Sequence, residues 1–85
     1  MEIPILKNKQ CSILYSEFST GHIYNIDLTI YTKKENKIPF QVFDNQLYAE
    51  NFANLFVKEN PKFECILYDE NGNYIKNINI VSLVK

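Results

Sequence analysis

The chain contains no arginine. Arginine supplies the planar fork that grips phosphate and guanine in two places at once. Its absence, with nine lysines set against ten acidic residues and a net charge of −1, argues against a nucleic-acid partner. Glycine is nearly absent too: Gly21 and Gly72 are the two present, so there is neither a phosphate-binding loop nor a dinucleotide fingerprint. No apolar run approaches the roughly 20 residues of a membrane span. The start, MEIPILKNKQ, lacks the basic flank and long apolar stretch of a secretory leader. A cytoplasmic protein without a membrane partner is therefore expected, and its two cysteines, Cys11 and Cys65, are expected as reduced thiols. A disulfide would require their strands to be neighbours, which the spacing leaves open.

What is present describes one small globular domain over 1–85, with 1–9 as an arm or edge strand. Hydrophobic residues make up 46% of the 85 positions and charged residues 22%, which is a folding composition and not a disordered one. The eleven isoleucines and eleven asparagines, with lysine in place of arginine, fit a chain encoded in AT-rich sequence.

Along the chain, CSILYSEF (11–18) reads as a strand and STGH as a turn. IYNIDLTIY (23–31) alternates cleanly, with Tyr24, Ile26, Leu28 and Ile30 on one face and Asn25, Asp27, Thr29 and Tyr31 on the other. That pattern predicts a half-buried antiparallel strand. TKKENK (32–37) is a charged turn, and IPFQVF (38–43) is a third strand, bent or at an edge because of Pro39. A helix is expected over 45–59, capped by Asp44, with Phe43 stapled onto Tyr48. Its apolar arc is Tyr48, Ala49, Phe52, Ala53, Leu55 and Phe56, read as a core face. Asn60-Pro61 stops it. FECILYD (63–69) and NYIKNINIVSLV (73–84) complete the set, the last needing a bulge near Asn77 to bring its isoleucines into phase.

The fold class is therefore α+β: a small antiparallel sheet of about five strands in the order β-β-β-α-β-β, with one packed helix. A single helix covers one sheet face. The other is either open to solvent or curled into a half-barrel.

YDENGNYIK (68–76) places Asp69, Asn71 and Asn73 at alternate positions, as a calcium loop does. Such a loop needs glycine sixth and glutamate twelfth, where this chain has Tyr74 and Ile80. Asn71-Gly72 between two β-patterned runs instead signals a type I′ hairpin, with Asp69 and Asn73 beside the turn. His22, the single histidine, has Cys11 and Glu17 as partners to consider across the first hairpin. Zinc would need a fourth ligand beyond Cys11, Cys65 and His22. No nucleophile elbow surrounds Ser12, Ser16, Ser19 or Ser82. No catalytic residue, cofactor or metal site is nominated, and an enzyme is not expected.

What the sequence offers is surface. Tyr31, Asn25, Asp27 and Thr29 share one strand face, and Tyr68, Glu64 and Ile66 share another. On an open sheet these seven would form a protein-binding surface, because tyrosine brings large contact area at low entropy cost. The function expected is a non-enzymatic protein-binding module, of the class of phage or mobile-element inhibitors that sterically block a larger host machine. The alternative is a single-stranded nucleic-acid binder that stacks bases on the aromatic sheet face beside Lys33, Lys34 and Lys37. An edge strand near Pro39 or the C-terminus offers a third route, sheet pairing into a homodimer or onto a partner.

Overall fold

The computed structural model describes residues 5–32 and 38–83. The central element is β1 (Cys11–Glu17), in which the first six residues are buried. It is enclosed because it has neighbours on both edges. One edge pairs antiparallel with β4 (Phe63–Tyr68) from Ser12 through Glu17. The other edge is divided: β2 (Ile23–Tyr24) lies beside Tyr15 and Ser16, and β3 (Phe40–Phe43) lies beside Cys11 to Leu14. β5 (Tyr74–Ile78) pairs with the far side of β4. The result is an open, five-stranded antiparallel sheet.

One face of this sheet makes the core. Cys11, Ile13 and Tyr15 from β1, Cys65 and Leu67 from β4, and Ile78 from β5 pack against Ala49, Ala53 and Val57 of α1 (Gln46–Glu59). Alanine at two of the three contact positions lets the helix sit close over the sheet. The bulky rings take the seam beside it. Phe56 lies 4.8 Å from Tyr15 and 5.8 Å from Phe63, and Phe43 lies 5.3 Å from Phe52, between ring centroids. The helix is thus turned by roughly 80° from the arc expected of it. Ala49 and Ala53 are inside and Phe56 is half-buried, but Tyr48, Phe52 and Leu55 face outward.

The N-cap differs by one residue from expectation, and the C-cap falls where expected. Asn45, not Asp44, is the N-cap, its Oδ1 accepting from the Tyr48 backbone N–H at 2.9 Å. Phe43 meets Phe52 rather than Tyr48. At the other end Asn60 donates its backbone N–H to the Phe56 carbonyl at 2.8 Å, and Pro61 follows.

The β4–β5 hairpin is present, with a different turn from the I′ type. The Gly72 N–H donates to the Asp69 carbonyl and the Asp69 N–H to the Asn73 carbonyl. Gly72 alone in this turn is left-handed, at φ 80°. That is a three-residue loop closed by a glycine bulge. The Asp69 Oδ1 accepts from the Asn71 and Asn73 N–H groups at 2.9 and 2.8 Å, which holds its carboxyl below the usual range, the Asn73 contact most of all. A bulge in β5 falls at Ile75, between the pairs Tyr68–Tyr74 and Leu67–Lys76, two residues before the position expected. It lets Ile75 and Ile78 both reach the core.

The final strand stops at Ile78, and the chain turns into α2 (Ile80–Leu83). Asn79 and Ser82 cause this. The Ser82 N–H donates to the Asn79 Oδ1 and the Asn79 N–H to the Ser82 Oγ, both at 3.0 Å, a reciprocal cap. The expected arm 1–9 shows no strand from Ile5 onward, and its first four residues lie outside the described residues. So do 33–37 of the charged turn and position 84 of the expected last strand.

Candidate functional site

The divided edge of β1 decides what happens to 23–31. A straight strand would run on beside Leu14, but Phe40 of β3 already pairs there. After Tyr24 the chain must leave the sheet, and it doubles back on itself. The Asn25 N–H donates to the Thr29 carbonyl at 2.7 Å and the Leu28 N–H to the Asn25 carbonyl at 2.9 Å. Ile30 bridges to Tyr24, and the Tyr31 N–H returns to the Ile23 carbonyl at 2.9 Å. The expected nine-residue strand is therefore a two-residue strand carrying a small outer hairpin. Its aliphatic residues, expected in the core, face out: Ile26 is 47% exposed, Leu28 38% and Ile30 55%.

Polar side chains hold this hairpin closed. The Asn25 Nδ2 donates to the Thr29 Oγ1 at 3.1 Å and to the Ile30 carbonyl at 3.4 Å. The Asp27 Oδ1 accepts from the Thr29 N–H at 3.1 Å and from the Thr29 hydroxyl at 2.6 Å. Short polar side chains that bond their own backbone compete with sheet pairing. Asn25, Asp27 and Thr29 inside an apolar run were the available sign that the run would turn.

The turn is the same as that at 69–73, residue for residue. Asn25 stands where Asp69 does, Leu28 where Gly72 does, and Thr29 where Asn73 does, with the same two backbone bonds. The energetics differ. Leu28 takes φ 66°, in the left-handed region that glycine occupies without strain. The buried Asn25 Oδ1 has no hydrogen-bond partner among the described residues, whereas the Asp69 Oδ1 accepts from the Asn71 and Asn73 N–H groups. A buried, unpaired acceptor costs about 1–3 kcal/mol. The 25–29 turn thus carries two local costs that its counterpart avoids.

The seven residues expected on one open face divide between two places. Asn25 is buried in the hairpin neck, Asp27 and Thr29 form its tip, and Tyr31 is half-buried at its base. Glu64, Ile66 and Tyr68, all half-buried, do lie on the sheet face away from the helices. Between Phe40, Ile66 and Tyr68 that face also buries Leu14 and Ser12 of β1, and the rings of Phe40 and Tyr68 meet edge-on at 5.9 Å. Glu64 accepts from the Asn77 side chain at 2.7 Å. The outer edge of β5 has no partner strand among the described residues. Its bulge at Ile75, and Lys76 drawn 3.1 Å from Glu50, are features that discourage edge pairing.

Among the described residues, the side chains considered for catalysis do not converge. His22 is exposed, with its Nδ1 4.0 Å from a Glu17 carboxylate oxygen. Cys11 lies six residues along β1 from Glu17, about 20 Å away at strand rise, so the two cannot share a reacting atom. Both cysteines are free and buried. They share the core face, but Tyr15 is the residue opposite Cys65, four places along β1 from Cys11, which puts them beyond disulfide reach. Burial raises the Cys11 thiol, helped by Glu50 and Asp69, and pushes Cys65 up to about 12. Neither is a nucleophile at neutral pH. Among the described residues no three His, Cys, Asp or Glu side chains gather as metal ligands would, and no helix is long and apolar enough to cross a membrane. No protein-family model, curated protein or solved structure matches the chain.

Proposed function

We propose that this chain is a non-enzymatic protein-binding module. The observation that carries the reading is the hairpin 23–31, whose residues alternate as if for burial and whose Ile26, Leu28 and Ile30 stand outside the fold. Segments where local pattern and global fold disagree are the places to look for function. The aliphatic character of the tip fits a shaped protein surface better than it fits bases, which stack on aromatic faces. On the sheet face, Phe40 is 4% exposed and engaged with Tyr68, so it offers little to a stacked base. In its finer form the proposal is a cytoplasmic inhibitor carried by a phage or mobile element, acting by steric occlusion of a larger host machine. Its support is the single small domain, the lysine-only basic set and the AT-rich composition.

The test is retrieval of the tagged protein from lysate of the cell that encodes it, with and without nuclease. Binding is then followed from roughly 50 to 200 mM salt, a range over which phosphate contacts weaken by orders of magnitude. A stoichiometric protein that survives nuclease, with nearly flat salt dependence, supports the module. Recovered nucleic acid, or a partner lost on nuclease treatment, overturns it in favour of a single-stranded nucleic-acid binder.

A further inference from the structure

We infer that Asn71 is a site of spontaneous deamidation, and that the turn held by Asp69 sets how fast it converts. The reaction closes a ring between an asparagine side chain and the next backbone nitrogen, so the residue that follows decides it. Of the eleven asparagines, Asn71 alone precedes a glycine. Glycine lacks the Cβ that would crowd the incoming carboxamide. Asn25, Asn77 and Asn79 precede isoleucine, which is branched at Cβ, and Asn60 precedes proline, which has no N–H to give up. The rest precede long or aromatic side chains. The Asn71 side chain is also exposed to water.

Water is the one co-reactant. Base takes the Gly72 amide proton, the nitrogen bonds to the Asn71 Cγ, and the side-chain nitrogen leaves as ammonia. Water then opens the succinimide ring, with nothing oxidised or reduced. Opening at Cγ leaves aspartate at 71. Opening at the main-chain carbonyl leaves isoaspartate, which carries the backbone through Cβ and Cγ and lengthens it by one carbon. The folded turn opposes ring closure. The Gly72 N–H is bonded to the Asp69 carbonyl at 3.0 Å, so its proton is held. The Asp69 Oδ1 fixes the residues on either side, accepting from the Asn71 and Asn73 N–H groups at 2.9 and 2.8 Å. The carboxylates of Asp69 and Glu70 also disfavour negative charge on the Gly72 nitrogen between them and Asn73. Conversion therefore waits on local opening of the turn. Its products act on the same hairpin. Isoaspartate moves Gly72 from the left-handed position that closes the loop, and aspartate adds a third carboxylate beside Asp69 and Glu70.

The experiment follows the full chain in warm, mildly alkaline buffer, with digestion at lysine at intervals. The peptide 63–76 carries Asn71 and Asn73, and fragment masses tell them apart. Asn71 is expected to convert before any other asparagine, giving both aspartate and isoaspartate. Asp69→Ala should convert roughly fivefold faster or more, the factor that one lost hydrogen bond gives. Wild type held unfolded in guanidinium chloride should convert faster than the native protein. That comparison needs no variant, so the test stays decisive where Asp69→Ala does not fold. Earlier conversion at another asparagine, or none at Asn71, overturns the site. Equal rates in native and unfolded wild type, or in wild type and a folded Asp69→Ala, overturn the role of the turn.

Discussion

Leu28 and Gly72 occupy the same position of the same turn, one at φ 66° and the other at φ 80°. Each is preceded by a residue three back that accepts its N–H and followed by one that closes the hairpin. The chain therefore contains its own control for what a left-handed leucine costs. Leu28→Gly relieves about 1–2 kcal/mol of backbone strain, and part of that is returned as extra freedom of the unfolded chain. The net expectation is about 0.5–1 kcal/mol of added stability. Gly72→Leu should move stability by a similar amount in the opposite direction. Urea unfolding of both variants measures this. A destabilised Leu28→Gly would mean that the leucine packs more than it strains.

The helix orientation makes a second prediction. Ala53 is fully buried over β1 and β4, so Ala53→Leu overpacks the closest approach of helix and sheet and costs about 1–3 kcal/mol. Leu55→Ser, on the outward side at 63% exposure, changes stability by less than about 1 kcal/mol. The apolar arc read from the sequence makes Leu55→Ser costly as well, since it places that residue in the core.

How far the sequence could be read follows from these two elements. Strand β1, the 69–73 hairpin and the helix limits were legible because local signals set them: a dense β-branched and aromatic run, Asn-Gly, and caps within one residue. The helix face was not, because six apolar residues spread over a wide arc leave the choice to whatever fills the seam, here the rings of Phe43, Phe56 and Phe63. The 23–31 strand failed for a long-range reason. Alternation was correct for a strand, but Phe40, sixteen positions further along than Tyr24, holds the place beside Leu14 that it would have continued into. Of the proposed site, the sequence singled out Asn25, Asp27 and Thr29, which lie on the segment that forms the outer hairpin, while the outward residues between them were assigned to the core.

The thiols make a third prediction, for alkaline pH. Cys65 is neutral in the folded protein up to about 12, against an unfolded value near 8.5. Above 8.5 the unfolded chain releases a proton that the folded chain keeps, so stability is full below that pH and falls as pH rises toward 12. Cys65 alone should remove about 2 kcal/mol by pH 10. Tyr15, raised by burial and bonded through its hydroxyl to Gln41, adds to the loss above pH 10. Urea midpoints at pH 8 and pH 10 give the slope, and Cys65→Ala should flatten it. Rapid labelling of both cysteines by iodoacetamide in native buffer would contradict the buried placement.

The central claim is that the hairpin 23–31 is where this protein meets its partner. Hydroxyl-radical footprinting, free and in complex with the protein it retrieves, tests that side chain by side chain. The account predicts that Ile26, Leu28 and Ile30 lose most of their reactivity on binding, while Tyr74 on β5 and Leu55 on the helix keep theirs. Unchanged reactivity across 26–30, with protection at Tyr74, Leu55 or the Glu64–Tyr68 face instead, would contradict it.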